Sequence, residues 1–219
     1  MHKHFISLGR ELDVVNPKAP EAVFKSHLED RRNDDKALDS HKANLATTYA
    51  NAFINAGFCT DTILLKDGEN SEWMFNHKDS GIMAASASLG LLLLWNIDEG
   101  FDKLDKYMES SSEYIRAGSY MAIGLVNSGI KNENDPVKLL LMDKFENATE
   151  YEKIGILMGW SFTYAGTEDA DIIEQIVPLL LDLNNSIELV SIAAMVLGLL
   201  CIGTSNNDSL EAIISVLMT

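Results

Sequence analysis

The sequence predicts an all-α fold, an α-solenoid of antiparallel helix pairs, and three observations carry that prediction. Gly129, Gly166 and Gly203 are 37 residues apart; Gly118 and Gly155 keep the same interval, as do Gly124, Ser161 and Gly198, with serine standing in once. Four acids suited to opening a helix, Asp98, Asp135, Asp171 and Asp208, follow one another at 37, 36 and 37 residues. Stretches rich in Gly, Ala and Ser, such as Ile115–Gly129, alternate with bulkier amphipathic ones. A fixed interval the length of a helix pair marks a stacked repeat array. An inner row of small-faced helices under a bulkier outer row narrows on one side, so the expected product is a curved segment of a ring.

The elements follow in order. Residues 1–42 read as an N-terminal helical segment with a charged loop, and residues 43–219 as helix-pair repeats at about 43–77, 78–111, 112–148, 149–185 and 186–219. In the first segment two short helical pieces flank Asn16-Pro17 and Ala19-Pro20, where proline stiffens the connector. Residues 30–42, dense in charge, read as an exposed, mobile loop. Asn44–Gly57 is the first small-residue helix, with Ala46, Ala50, Ala52 and Phe53 as its stripe. Phe58–His77 is irregular, turns at Lys66-Asp67-Gly68, and is pinned by Trp73 and Phe75.

Asp79–Trp95 is apolar around most of its circumference and should be buried on several sides. Asp98–Glu109 pairs with it: Phe101, Leu104 and Met108 face inward, and Asp98, Asp102, Asp105 and Glu109 lie opposite. Ser112–Ser128 follows, capped by the Ser110–Ser112 linker. Its partner Asp135–Asn147 opens on an N-cap acid and a first-turn proline, with Leu139, Leu140 and Met142 as its apolar stripe. Tyr151–Ala165 pairs with Asp169–Leu183, where Pro178 should kink the helix. Ile187–Ile202 and Asp208–Met218 form the last pair. Trp95 and Trp160 are expected between the helix rows. The sequence reads as a piece of a longer array, in which Leu210, Ile213, Ile214 and Leu217 would have further neighbours.

The chain has 219 residues, 47% apolar and 23% charged, enough for a core that runs as a stripe through the stack. The net charge of −16 argues against nucleic acid and anionic membrane surfaces. It suits a basic partner, and equally it keeps a large surface solvated. Cys59 and Cys201 form no CxxC or Cys/His cluster, so neither a zinc site nor a disulfide framework is indicated. The N-terminus MHKHFISLGREL lacks a secretory apolar core, and Leu89–Trp95 is too short to span a bilayer. His2, His4, His27, His41 and His77 have no partners at metal or nucleophile spacing, and Gly124–Gly129 follows no strand and lacks the phosphate-binding lysine. No catalytic, cofactor or metal residue is therefore assigned, and the reading is of a non-enzyme.

The segments LGRELDVVNPKAP, SASLGLLLLWNIDEGFDKLDKYM, AIGLVNSGIKNENDP and YAGT resemble proteasome/cyclosome repeats. They are similar to the large non-ATPase scaffold subunits of the 26S proteasome regulatory particle base, in particular the one that serves as a receptor for ubiquitin and ubiquitin-like domains. The resemblance covers nearly the whole chain and is weakest at 31–42 and 58–76. It implies a toroid of helix pairs beside the proteasomal ATPase subunits, in cytoplasm and nucleus. It also implies binding of ubiquitin, of shuttle proteins with ubiquitin-like domains, and of a base-associated deubiquitinase.

Ubiquitin offers an apolar patch ringed by basic residues, so its receptor should offer apolar anchors inside an acidic rim. The outer helices supply the candidates: Asp102, Asp105, Tyr107 and Glu109; Leu139, Asp143 and Glu146; Asp171 and Glu174. Met108 and Ile173 are further apolar candidates. Acids on the exposed face of a solenoid helix are also ordinary solvated residues, and those near an N-terminus favour the helix dipole. Two alternatives stand beside the receptor reading: a purely structural ring segment, and a generic adaptor that takes a basic peptide in its concave groove.

Overall fold

The computed structural model describes residues 1–23, 36–65 and 72–218, with the backbone alone described at 36–40. Among the described residues all regular structure is helical: α1 (His2–Glu11), α2 (Pro20–Val23), α3 (Lys36–Ile54), α4 (Glu72–Phe75), α5 (Ser80–Leu92), α6 (Ile97–Met108), α7 (Glu113–Val126), α8 (Pro136–Phe145), α9 (Glu150–Tyr164), α10 (Ala170–Leu181), α11 (Ile187–Leu200) and α12 (Asn207–Leu217). Helices α3, α5, α7, α9 and α11 pack side by side as one row. Helices α6, α8, α10 and α12 lie outside it: α6 and α8 each pack on the two inner helices they connect, α10 packs on α11, and α12 packs on α11 and α10.

Missing side chains make the inner row possible. A Cβ on Gly118 of α7 would stand 2.3 Å from the Met83 carbonyl oxygen of α5, and one on Gly155 of α9 would stand 2.1 Å from that of Ala117. Real Cβ atoms do not come so close, so the backbones touch only because these positions carry hydrogen. Gly198, at the same register on α11, has nothing within 4 Å of its Cβ position. The second glycine series has a different purpose. Gly129, Gly166 and Gly203 have φ of +71°, +70° and +79°, the left-handed conformation that ends a helix and that L side chains resist. Gly57 after α3 shares it with φ of +75°.

Those turns also stitch neighbours together. The amides of Gly57 and Cys59 donate to the carbonyls of Leu91 and Leu92 at the end of α5. Trp95 donates to Val126 of α7, and Gly166 and Glu168 donate to Leu199 and Leu200 of α11. The last carbonyls of a helix have no partner within it, and here the preceding repeat supplies the donor.

Several sequence expectations need correction. Residues 36–42, expected in a mobile loop, are the first turns of α3; Lys36, Ala37 and Leu38 are good helix formers, and charge density hid them. Residues 30–35 and the Lys66-Asp67-Gly68 turn lie outside the described residues. The buried face of α3 is partly polar: Ala52 is buried as expected, but Thr48 and Asn51, and Asn55 just after the helix, are buried with it, whereas Ala46 and Phe53 are exposed. Thr48 accepts from Trp73 Nε1 at 2.8 Å and bonds His77 Nε2 at 3.1 Å. Asn51 donates to buried Asp61 at 2.5 Å, and Asn55 exchanges hydrogen bonds with the Lys18 backbone. Trp73 thus pins the irregular segment, but Phe75 is 64% exposed and does not.

The apolar stripe of α8 is Val137, Leu141 and Phe145, spaced four apart; Leu139 is 69% exposed, while Leu140 and Met142 flank the stripe. Asp98, Asp171 and Asp208 sit in the first turn behind N-caps Asn96, Asp169 and Asn206. They complement the dipole and leave capping to their neighbours: Asp169 accepts from the Ile172 amide and Asn206 from that of Ser209. Ser112 is the α7 N-cap but makes no side-chain cap bond. Trp160 is buried against Phe145, between the rows. Trp95, with φ of +67°, lies on the turn after α5, edge-on to Phe5 of α1 and bonded to the Ser128 carbonyl. Pro178 lies inside α10, which runs on to Leu181. On α12, Leu210, Ile214 and Leu217 are exposed and Ile213 is half-buried.

Candidate functional site: the groove between α6 and α8

Helix α6 is built to show acid outward. Gly100, Leu104 and Met108, at intervals of four, are its buried residues. A Cβ on Gly100 would stand 2.8 Å from Val126 Cγ1, so α6 lies close on α7. With that face fixed, Asp98, Asp102, Asp105 and Glu109 form an exposed stripe on the other side. Asp98 and Glu99 occupy the first turn and Lys106 the last, each at the end its charge prefers.

Helix α8 starts where Asp135, with φ of 40°, turns the chain into Pro136 at the first helical position. The Asp135 carboxylate does not cap the helix; it accepts a short hydrogen bond from the Tyr164 hydroxyl of α9. Burial first, and then that carboxylate, push the Tyr164 pKa well above its ordinary value, so the phenol stays a donor. The start of α8 is thereby tied to α9.

Between α6 and α8 lies an open groove of about 420 Å³, lined by Phe101, Asp102, Asp105 and Met108 from α6 and by Pro136 and Leu140 from α8. Its floor is apolar. One wall carries two carboxylates, neither of which has an ion-pair partner among the described residues. The far end is tied by Lys144 to Glu109 at 3.3 Å, an exposed pair of the kind worth about 0–1 kcal/mol.

The nine residues picked out in the sequence fall in different places. Asp102 and Asp105 share the groove, and Glu109 closes its end. Tyr107 is on the opposite flank of α6, half-buried beside Leu64, Leu65, Lys103 and Lys106, with the Lys106 ammonium 5.0 Å from its ring centre. Burial raises its pKa. Leu139 is the exposed apolar residue on α8, and Asp143 and Glu146 are exposed along the same helix. Asp171 and Glu174 are exposed on α10, and Lys138 reaches from α8 to Asp169 at 2.8 Å and Asp171 at 2.7 Å. Sequence reasoning placed Phe101 and Leu140 facing inward, where they do pack against the core, but missed that they and Pro136 also line the groove. The available signal was that Pro136 and Leu140, four apart, share one flank of α8.

Among the described residues, no three His, Cys, Asp or Glu side chains come together as metal ligands, and no helix is long and apolar enough to cross a membrane.

Comparison with known proteins bears on this architecture. The chain is 36% identical over 221 residues to the 26S proteasome regulatory subunit rpn-1 of Neurospora crassa, an alignment that takes in 100% of this chain and 24% of that protein. It is 39% identical over 217 residues to rpn1 of Schizosaccharomyces pombe, covering 98% of this chain and 24% of the relative. It is 35% identical over 208 residues to the 26S proteasome non-ATPase regulatory subunit 2 of Dictyostelium discoideum, covering 95% of this chain and 23% of the relative. The family model for the RPN1 N-terminal domain matches residues 1–29. The chain belongs to the RPN1 family of 26S proteasome regulatory subunits. It spans about a quarter of the length of these RPN1 relatives. The stretch matching the RPN1 N-terminal domain includes α1 and α2; the stacked rows follow it.

Proposed function

We propose that this chain is a non-catalytic scaffold segment of the proteasome regulatory particle base, and that the α6–α8 groove receives ubiquitin and ubiquitin-like domains. The groove supports the reading: apolar Phe101, Met108, Pro136 and Leu140 lie under the unpaired carboxylates of Asp102 and Asp105. A partner with an apolar patch inside a basic ring meets a floor for the first and a wall for the second. Exposed Leu139, Asp143 and Glu146 extend the same surface along α8. Such an open groove binds weakly by itself and gains from chains of linked partners. Shuttle proteins with ubiquitin-like domains and a base-associated deubiquitinase belong to the same partner class. The inner row, stacked backbone on backbone, suits a rigid curved support beside the proteasomal ATPase subunits. Such a complex works in cytoplasm and nucleus.

Titration of the isotope-labelled 219-residue chain with ubiquitin tests the reading. The expected result is amide shifts centred on Phe101, Asp102, Asp105 and Leu140. An unperturbed α6–α8 surface leaves a structural ring segment. Shifts confined to the inner row would instead favour the adaptor that holds a peptide in its concave face.

A further inference from the structure

The linker between α6 and α7, Glu109 to Ser112, is gripped from two sides. Its serines lie outside both helices; Ser111 is exposed, and Ser110 and Ser112 are half-buried. Arg116, one turn into α7, reaches back and donates from Nη1 to the Ser110 carbonyl at 2.6 Å. The same guanidinium holds Glu152 of α9 through Nε. Lys144 of α8 holds Glu109, the residue before Ser110, at 3.3 Å. The Ser110 hydroxyl oxygen accepts the Ser112 amide at 3.3 Å, a bond that an ester oxygen at the same place can keep. Acids stand on both sides of this serine, Glu109 just before it and Glu113 three residues after. The 37-residue interval puts Asn147 and Asn184 at the matching points of the next two linkers, so neither offers a hydroxyl there.

We infer that Ser110 is a phosphorylation site for an acid-directed protein kinase, and that Arg116 carries the effect by leaving Glu152 for the phosphate. In the step, Ser110 Oγ bonds to the γ-phosphorus of ATP and the bond from that phosphorus to its bridging oxygen breaks. ADP departs, and the hydroxyl proton passes to the kinase's base. The product adds a charge of about −2 and three strong acceptor oxygens, beside a guanidinium that already lies against the same residue. Arginine suits such a group, because its planar fork matches phosphate oxygens in pairs. The Glu152 side chain is only 8% exposed, and once Arg116 turns away it keeps the Thr149 amide but loses that cation. A buried carboxylate stripped of its cation is destabilising. Phosphorylation therefore loosens the seam between α7 and α9, whether or not ubiquitin is the partner of the α6–α8 groove.

The test incubates the folded 219-residue chain with Mg-ATP and an acid-directed serine kinase of the casein-kinase class, and maps the product by peptide mass. One phosphate on Ser110 is expected, and Ser110→Ala should abolish it. The phosphorylated chain should melt about 5 °C lower than the unphosphorylated one, with faster hydrogen exchange in the first turn of α9. In Arg116→Met the clip is already gone, so phosphorylation should shift the melt by less than ~1 °C, the non-additivity expected of groups in one network. Phosphorus NMR gives a second readout: the phosphate's second pKa should lie lower in the chain with Arg116 than in Arg116→Met. No phosphate on Ser110 overturns the site. An unchanged melt, a drop that persists in full in Arg116→Met, or a phosphate pKa indifferent to Arg116 overturns the role of that arginine.

Discussion

Gly124 of α7 and Gly159 of α9 touch main chain to main chain: a Cβ on Gly124 would stand 2.2 Å from the Gly159 carbonyl oxygen and 2.4 Å from its Cα. Backbone cannot swing aside as a side-chain tip can. Gly124→Ala is therefore expected to cost about 1–3 kcal/mol through overpacking and Gly124→Leu more, lowering the melting temperature by several degrees. Gly198→Ala is the control, because that glycine has open space around it. It should gain about 1 kcal/mol of helix propensity, or roughly 2–4 °C in a chain of this size. Thermal melts of the variants check both signs.

Arg116 and Glu152 clip α7 to α9. Arg116 Nε bonds Glu152 Oε1, Nη1 donates to the Ser110 carbonyl at 2.6 Å, and Glu152 also accepts the Thr149 amide at 2.7 Å. The Glu152 side chain is only 8% exposed. Arg116→Met leaves that carboxylate buried without its cation. The loss should fall at or below the ~3 kcal/mol lower end of the range for breaking buried pairs, because Arg116 itself keeps 24% of its side chain in solvent. Glu152→Gln, which keeps the shape, should cost less in a denaturant titration.

Acid should weaken the fold in two steps. Burial tends to lower the His77 pKa below its ordinary 6.5, with His41 adding to it, so the unfolded chain takes up the proton first as pH falls past 6.5. Burial tends to raise the Glu152 pKa, but the Thr149 amide and Arg116 outweigh it and hold the carboxyl below its ordinary 4.5. Its contribution is complete above that value and is lost as pH falls through the lower folded one. Melting temperature measured from pH 7 downward should decline in both windows. His77→Gln should flatten the upper one and Glu152→Gln the lower.

Tyr164 holds the start of α8 through Asp135. Tyr164→Phe keeps the ring and removes the donor, and the expected cost is about 1–3 kcal/mol for a carboxylate left without it. Hydrogen exchange should quicken first at Val137 and Lys138, the amides next to the released turn.

In the groove, the double change Asp102→Lys and Asp105→Lys should weaken ubiquitin binding more than tenfold, because it inverts the charge of one wall. Glu109→Lys, at a position already answered by Lys144, should change it less than threefold. Equal effects from the two would remove the groove from the reading, and calorimetric titration distinguishes them.

Much of the architecture was legible in the sequence because glycine has few uses inside helices. One that recurs every 37 residues reports a contact or a turn that repeats, and both proved present: Gly155 in contact, Gly166 in a left-handed turn. What periodicity could not resolve was direction. Leu139 looked like core, yet α8 rotates so that Val137, Leu141 and Phe145 face in. On α3 the expected stripe of Ala46, Ala50, Ala52 and Phe53 leaves out Thr48, Asn51 and the following Asn55, because only tertiary partners such as Trp73, Asp61 and Lys18 make polar residues worth burying there. The acids of α6 could be placed on one face from spacing alone. That Asp102 and Asp105 would overlook a gap depended on α8 packing against α9 and α7 instead of α6, a matter of neighbours far along the chain.

The amides that pass from Gly57 and Cys59 to Leu91 and Leu92, and from Gly166 and Glu168 to Leu199 and Leu200, give the stack a mechanical character. Load applied along the array is carried in shear by these short rungs as well as by side-chain packing. The hairpin that begins with α5 has rungs on both its sides and can be torn away only by breaking both, so under tension the stack should hold its length and then yield in discrete steps.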